Sequence, residues 1–319
     1  MNKINKIVTF ISFLIILFGI FSVFNYYSKA RIINFDNSTD VSFMPNEKEQ
    51  NIGSSTNDLN KLDQSLVEYK LISNINCSIS IKSQAGLGII LENNQIFFSK
   101  NTQQRFPIAS LTKLMTAVIS VEKIPKSSLI TITSKAQAAF GDFGNFKTGE
   151  RYSREDLLKG MLLSSSNDAA VALAEQIGYK DFVHLMNEKA KELEMTETLF
   201  VDPAGLSLNN RFSIEDLSTL VKYILANYPQ IFEWTRNDKI FIYDIANDQE
   251  KIIFNENKLA KENNFLGGKT GFLLTPNKGG LISLFNYRDY IALIIVLDGD
   301  WSGRYQDTKN ILSCLPDSI

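Results

Sequence analysis

Strand-favouring runs stand at both ends of the body of this chain, and helical patterns fill the stretch between them. Short β runs satisfy their backbone groups by pairing, and this arrangement points to one sheet whose halves are separated in sequence by a helical insertion. The N-terminal runs are CSISIK (77–82), GIILE (88–92) and QIFFS (95–99), read as three successive strands with Asn93-Asn94 as the turn between the last two. The C-terminal runs are GGLISLF (279–285) and YIALIIVL (290–297), followed by a helix from Arg304 to Leu315. A hairpin-like pair, IFIYDIA (240–246) and KIIFN (251–255), precedes them.

Helix signals occupy the middle. Apolar residues take helical spacing from Leu111 onward. Ser153-Arg154-Glu155-Asp156 and Ser213-Ile214-Glu215-Asp216 have capping-box form ahead of apolar-periodic runs, and Gly178 and Pro229 are stop signals.

Ahead of this body lies an uncharged run of 18 residues, 7–24, behind Lys3 and Lys6. As a helix it would span roughly 27 Å, close to the hydrocarbon thickness of a bilayer. Ser28-Lys29-Ala30 has the small-x-small form of a signal cleavage site, but the run is longer than a usual signal core, which favours a retained anchor. Residues 25–70 are rich in Asn, Asp, Ser, Glu and Gln with few apolar positions, too polar to offset chain entropy by burial, and read as a flexible stalk.

Scarce residue types narrow the chemistry. The net charge of -2 removes the electrostatic case for nucleic-acid binding, which needs a basic face. One His, His184, excludes sites built from several imidazoles, and two Cys as far apart as Cys77 and Cys314 exclude a cysteine-rich zinc cluster. A nucleophilic hydrolase here must use that His or a proton acceptor of another type.

Ser110-Leu111-Thr112-Lys113, at the start of a helical pattern, puts a hydroxyl and an amine one turn apart on one face, beside the positive end of the helix dipole. Ser120-Val121-Glu122-Lys123 repeats the spacing at the tail of the same helix. Ser165-Ser166-Asn167 falls at a break between two helical segments, and Lys269-Thr270-Gly271 follows two glycines just before the terminal strands. Each has decoys: Ser55-Thr56-Asn57, Ser207-Leu208-Asn209, and a second Lys-Thr-Gly at Lys147 to Gly149. Order and context select Ser110, Ser165 and Lys269.

These three motifs in this order are those of penicillin-binding proteins and class A β-lactamases. The chain resembles the low-molecular-weight D-alanyl-D-alanine carboxypeptidases, serine peptidases that trim peptidoglycan stem peptides. The likeness covers roughly 75–316 and extends to Ile108-Ala109-Ser110-Leu111-Thr112-Lys113, Leu162-Leu163-Ser164-Ser165-Ser166-Asn167-Asp168, Phe200-Val201-Asp202-Pro203-Ala204-Gly205-Leu206 and Gly267-Gly268-Lys269-Thr270-Gly271-Phe272. Within that family Lys147-Thr148-Gly149-Glu150 resembles a structural turn.

The resemblance implies an α+β fold of the β-lactamase/transpeptidase type: an antiparallel sheet flanked by helices, an all-helical subdomain, and the active site in the crevice between them. It also implies catalytic roles for Ser110 as nucleophile, Lys113 as general base and Ser165 as proton relay. Asn167 would hold the substrate amide, Lys269 would orient Ser165, Thr270 would bind the terminal carboxylate with help from Arg304, and the backbone N–H groups of Ser110 and Phe272, beside Gly271, would form the oxyanion hole. A free Lys is almost wholly charged at pH 7, so Lys113 needs burial and the nearby charge of Lys269 to lower its pKa by about three units, a cost of roughly 4 kcal/mol. No metal or cofactor is implied. The expected partners are stem peptides ending in D-Ala-D-Ala, β-lactams as covalent inhibitors, and the membrane through the N-terminal segment.

The expected organisation is therefore a cytoplasmic tail (1–6), a transmembrane anchor or uncleaved signal (7–24), a stalk (25–70) and a catalytic domain (71–319) on the outer side of the cytoplasmic membrane, secreted if the segment is cleaved. With 48 residues after Gly271, the β-rich second domain of larger relatives is not expected, and the anchoring is expected of the N-terminal segment. A D,D-endopeptidase would use the same motifs, and a β-lactam sensor would acylate without turnover. No Glu-bearing deacylation motif of the class A type is present, which argues against a β-lactamase. His184 reads as a structural or surface residue, and Cys77 and Cys314 as either a disulfide or two buried small side chains.

Overall fold

The computed structural model describes Cys77 and residues 79–141, 144–274, 276–288 and 290–315. The chain divides into two units between Asp63 and Gln64, and every described residue belongs to the second. The apolar run 7–24, the polar stretch 25–70 and the Ser55 decoy lie outside the described residues.

The elements begin with β1 (Ala85–Ile90), β2 (Gln95–Lys100), β3 (Phe106–Pro107), a 3-10 turn (Ala109–Thr112) and α1 (Lys113–Lys123). There follow β4 (Leu129–Thr131), α2 (Ser134–Gln137), β5 (Arg151–Ser153), α3 (Arg154–Leu163), α4 (Asn167–Glu175) and α5 (Tyr179–Glu192). Next are β6 (Arg211–Phe212), α6 (Ile214–Asn227), α7 (Gln230–Thr235), and the hairpin of β7 (Lys239–Asp244) and β8 (Gln249–Phe254). A second 3-10 turn (Lys258–Lys261), β9 (Phe265–Leu273), β10 (Lys278–Tyr287), β11 (Tyr290–Gly299) and α8 (Gly303–Leu312) complete them.

One antiparallel sheet in the order β2-β1-β11-β10-β9 joins the two ends of the body. β1 from the N-terminal half pairs directly with β11 from the C-terminal half, Ala85 opposite Leu297 and Ile90 opposite Ala292. Successive β11 residues feed two cores: Leu293, Ile295 and Leu297 pack with α1, α4 and α6, while Ala292, Ile294 and Val296 pack with α8. The sheet is therefore covered on both faces, which is why β11 reads as a continuous apolar run rather than an alternating one. β9 is an edge strand.

Local signals set the helix ends. Ser153 Oγ and Ser213 Oγ accept from the N–H groups of Asp156 and Asp216 and cap α3 and α6, contacts generally worth about 1 kcal/mol each. Gly178, at φ 107, separates α4 from α5, and Pro229 separates α6 from α7. Outside the main sheet, the described residues form three small antiparallel pairs, β3–β6, β4–β5 and β7–β8.

The run at 77–82 departs from its expected strand: Cys77 and residues 79–82 lie outside any strand. The N–H groups of Lys82 and Ser83 donate to the Asp307 carboxylate on α8 at 3.0 and 2.7 Å, not to a neighbouring strand. Cys77 is disulfide-bonded to Cys314, with Cα atoms 5.5 Å apart. These contacts bind the segment ahead of β1 to α8, and a hairpin, β1–β2, stands where three successive strands were expected.

Candidate active site

The site forms where the 3-10 turn, the α3–α4 junction, the loop after α5 and the edge strand β9 converge. Ser110 lies in the turn and Lys113 opens α1, one turn apart as their spacing requires. Lys113 is fully buried, at 0% exposure. Its Nζ lies 2.9 Å from Ser110 Oγ, 2.7 Å from Asn167 Oδ1 and 2.6 Å from the Ala204 carbonyl oxygen. The last two groups only accept hydrogen bonds. A neutral amine has two N–H groups and one lone pair, so in that form Asn167 and Ala204 would take both hydrogens and the lone pair would face the Ser110 hydroxyl.

Burial pulls the Lys113 ammonium from its ordinary 10.5 down to about 7, against the opposing pull of the Asp202 and Asp168 carboxylates. Lys269, 1% exposed, is also held well below its ordinary value, first by burial and then by the charges of Lys113 and Arg304, with Glu256 opposing. The repulsion expected to help discharge Lys113 thus falls on Lys269, and Lys113 owes its depression to desolvation.

Ser165 sits between α3 and α4 in the left-handed region at φ 61, and Ala109 beside the nucleophile is at φ 51. Such conformations cost a non-glycine residue on the order of 1–3 kcal/mol and persist only where neighbours enforce them. Lys269 Nζ donates to Ser165 Oγ and to the Thr270 carbonyl oxygen, both at 2.8 Å. Ser166 Oγ accepts from the Ala169 N–H and caps α4, so the middle residue of the motif holds the helix while Ser165 and Asn167 face the lysines.

β9 meets the turn at Gly271. A Cβ there would stand 2.6 Å from the Ile108 carbonyl oxygen and 3.1 Å from Leu111 N, so only glycine lets the strand approach the backbone that carries Ser110. Thr270 and Phe272 flank it on the same edge strand, Thr270 buried and Phe272 half-buried.

Two residues have contacts different from those the resemblance implies. Both ends of the Asn167 amide are engaged inside the protein, Oδ1 by Lys113 and Nδ2 by the Phe140 carbonyl, so a substrate amide would have to displace one of them. Arg304, 1% exposed, donates from Nη1 to the Gly271 carbonyl at 2.5 Å, and its guanidinium lies over the rings of Phe272, Trp301 and Tyr305. It braces the strand behind Gly271.

The decoys lie elsewhere. Ser120 donates to the Thr116 carbonyl within α1, Lys147 to Gly149 form an exposed turn closed by Glu150, and His184 is exposed on α5. Ser207 and Asn209 belong to the loop after α5, which adds a group not assigned from sequence, the Ala204 carbonyl. A backbone acceptor leaves no mark in residue identity; only the Asp-Pro-x-Gly turn signal at Asp202 to Gly205 marks the loop. Among the described residues no cluster of three or more His, Cys, Asp or Glu could hold a metal ion.

A family model described as D-alanyl-D-alanine carboxypeptidase matches residues 72–283. The chain is 36% identical over 157 residues to the D-alanyl-D-alanine endopeptidase of Pseudomonas aeruginosa, covering 47% of this chain and 50% of that protein. It is 31% identical over 200 residues to the D-alanyl-D-alanine carboxypeptidase DacF of Bacillus subtilis, covering 59% and 51%. The chain thus spans about half the length of these relatives. The crystal structure of the Streptomyces K15 DD-transpeptidase shares the fold, with a TM-score of 0.67 at 21% identity over 74% of this chain and 97% of that one.

Proposed function

Because the chain belongs to the S11 family of D-alanyl-D-alanine carboxypeptidases, we propose that it hydrolyses the terminal D-Ala-D-Ala bond of peptidoglycan stem peptides through an acyl-enzyme on Ser110. The observation that carries this reading is the placement of Lys113 Nζ, 2.9 Å from Ser110 Oγ and within hydrogen-bond distance of two groups that only accept, so that the neutral amine would turn its lone pair to the hydroxyl.

In this reading Ser110 Oγ attacks the carbonyl carbon of the penultimate D-Ala while its proton passes to Lys113 Nζ. The oxyanion is met by the N–H groups of Ser110 and Phe272. Ser165, held by Lys269, relays a proton to the departing amine, and terminal D-Ala leaves. Water then attacks the ester, gives up a proton to the same base, and returns Ser110. Thr270 meets the substrate's terminal carboxylate, and the stem peptide lies along the edge of β9 as an added strand. β-Lactams would acylate the same hydroxyl.

The name of the Pseudomonas aeruginosa relative favours one second reading, a D,D-endopeptidase cutting cross-links with the same residues. The domain 71–319 would work outside the cytoplasmic membrane, carried by the anchor 7–24 and the stalk 25–70. The Cys77–Cys314 disulfide supports an oxidising compartment.

The test uses the full-length protein. Parent enzyme should release D-Ala from a pentapeptide and retain labelled penicillin, and Ser110→Ala should do neither; equal labelling of both would sink the assignment. Digestion of cross-linked muropeptides beside monomeric pentapeptides, read by mass spectrometry, separates the carboxypeptidase from the endopeptidase.

A further inference from the structure

The loop after α5 is built around one carboxylate. Asp202, 7% exposed, accepts at Oδ1 from the N–H groups of Ala204, Gly205 and Leu206 at 2.8, 2.6 and 3.1 Å. Its Oδ2 accepts from Ser207 N at 2.8 Å and Asn210 Nδ2 at 2.6 Å. All five partners are donors, so both oxygens act as acceptors and the group is the carboxylate. Asn210 closes the ring by accepting at Oδ1 from Val201 N at 2.8 Å.

This cage faces the site in two ways. It turns the chain so that the Ala204 carbonyl reaches Lys113 Nζ at 2.6 Å, while the neighbouring Pro203 carbonyl accepts from Thr116 Oγ1 on α1 at 2.6 Å. It also presses the loop onto the nucleophile's backbone: Gly205, at φ +83, has room for no Cβ, which would stand 1.9 Å from the Ala109 carbonyl oxygen and 2.9 Å from Ser110 N. One carboxylate thereby fixes an acceptor for the amine and the support of the turn that holds Ser110.

We propose that Asp202 is a positioning residue for the general base: by gathering the N–H groups of residues 204–207 it aims the Ala204 carbonyl at Lys113 Nζ, and it sets a fixed negative charge behind that amine. The proposal rests on the reading of Ser110 and Lys113 as nucleophile and base. It goes beyond that reading because Asp202 does not touch the reacting atoms.

The charged and titratable groups around the pair act in a definite sense. Asp202 and Asp168 both raise the pKa of Lys113 against its burial, and the ammonium of Lys113 in turn lowers Lys269. Tyr179, at the start of α5, is pushed up to about 12, first by burial and then by Asp202. Removing the Asp202 charge takes away a force that favours the protonated amine, so Lys113 should lose its proton at lower pH. A purely structural residue would alter stability without moving that midpoint.

The experiment follows the Lys113 side chain by NMR in full-length protein labelled with 13C-lysine, the signal identified by its loss in Lys113→Ala, beside the rate of labelling by a fluorescent penicillin as a function of pH. In Asp202→Asn the Lys113 midpoint should fall by about one pH unit, the acid limb of acylation should fall with it, and the maximal rate should drop at least tenfold. Asn210→Ala, which removes one donor to Asp202 together with the acceptor of the Val201 N–H and keeps the charge, should slow acylation several-fold with the midpoint unmoved, and it serves if Asp202→Asn does not fold. An unmoved Lys113 midpoint in Asp202→Asn, or a full acylation rate in Asn210→Ala, overturns the proposal. A parent that titrates and shifts as described yet takes up no penicillin would instead remove Ser110 as nucleophile and leave the coupling of Asp202 to Lys113 standing.

Discussion

Lys113 Nζ stands 2.9 Å from Ser110 Oγ, and its other hydrogen-bond partners among the described residues, Asn167 Oδ1 and the Ala204 carbonyl, can only accept. The amine is therefore oriented before any substrate arrives. In Lys113→Ala the rate of labelling by penicillin should fall about 100- to 10,000-fold, the range usual for loss of a general base. His184→Ala, on the exposed face of α5, should label at the parental rate. The opposite pattern would refute the lysine mechanism.

The acid limb of that reaction follows from the same amine. Below the midpoint near 7 the ammonium has no lone pair to accept the serine proton, and above it the amine is competent. Acylation measured from pH 5 to pH 9 should rise with pH through that midpoint. A flat profile would show that no group of this kind controls the step.

Gly271 is where β9 touches the turn. Gly271→Ala would put a Cβ 2.6 Å from the Ile108 carbonyl oxygen and force the strand away from Ser110. Displacing Phe272 N–H by even about 1 Å should cost on the order of 100-fold in acylation, while the circular dichroism spectrum keeps its helical and sheet content. An unimpaired variant would mean that the strand does not form one wall of the site.

The carbonyl of Gly271 belongs to the same peptide group as the Phe272 N–H, and Arg304 Nη1 binds it from behind. Arg304→Lys keeps the charge and loses the planar fork, so acylation should slow about tenfold or more with acyl donors that carry a terminal carboxylate and with those that lack one. A loss confined to the carboxylate-bearing donors would assign Arg304 to the substrate instead.

The Cys77–Cys314 disulfide spans 237 residues of sequence and lies on the α8 side of the sheet. Cys77→Ser should lower the free energy of unfolding by about 2–5 kcal/mol, measured in a denaturant titration, with penicillin labelling at 25 °C retained. Equal stability of variant and parent would show that α8 is held without it.

Much of this arrangement is legible in the sequence because it depends on near neighbours in the chain. The caps at Ser153 and Ser213 bind N–H groups three residues on, the Ser110–Lys113 spacing is one helical turn, and the apolar runs at 279–285 and 290–297 form strands because they are buried on both faces. The order of the three motifs also separates Ser110, Ser165 and Lys269 from their decoys. What tertiary structure alone decided depends on partners far apart in sequence. Asp307 takes the N–H groups of Lys82 and Ser83 at the end of the run at 77–82, whose described residues lie outside any strand although its β-favouring composition points the other way. Arg304 turns to the Gly271 carbonyl, and Asp202 gathers a loop whose Ala204 carbonyl reaches Lys113 across 91 residues. The pKa of Lys113 belongs to the same class: residue type and spacing put the amine beside the hydroxyl, but the burial that lowers it to about 7 exists only once the sheet, the helices and the loop have closed around it.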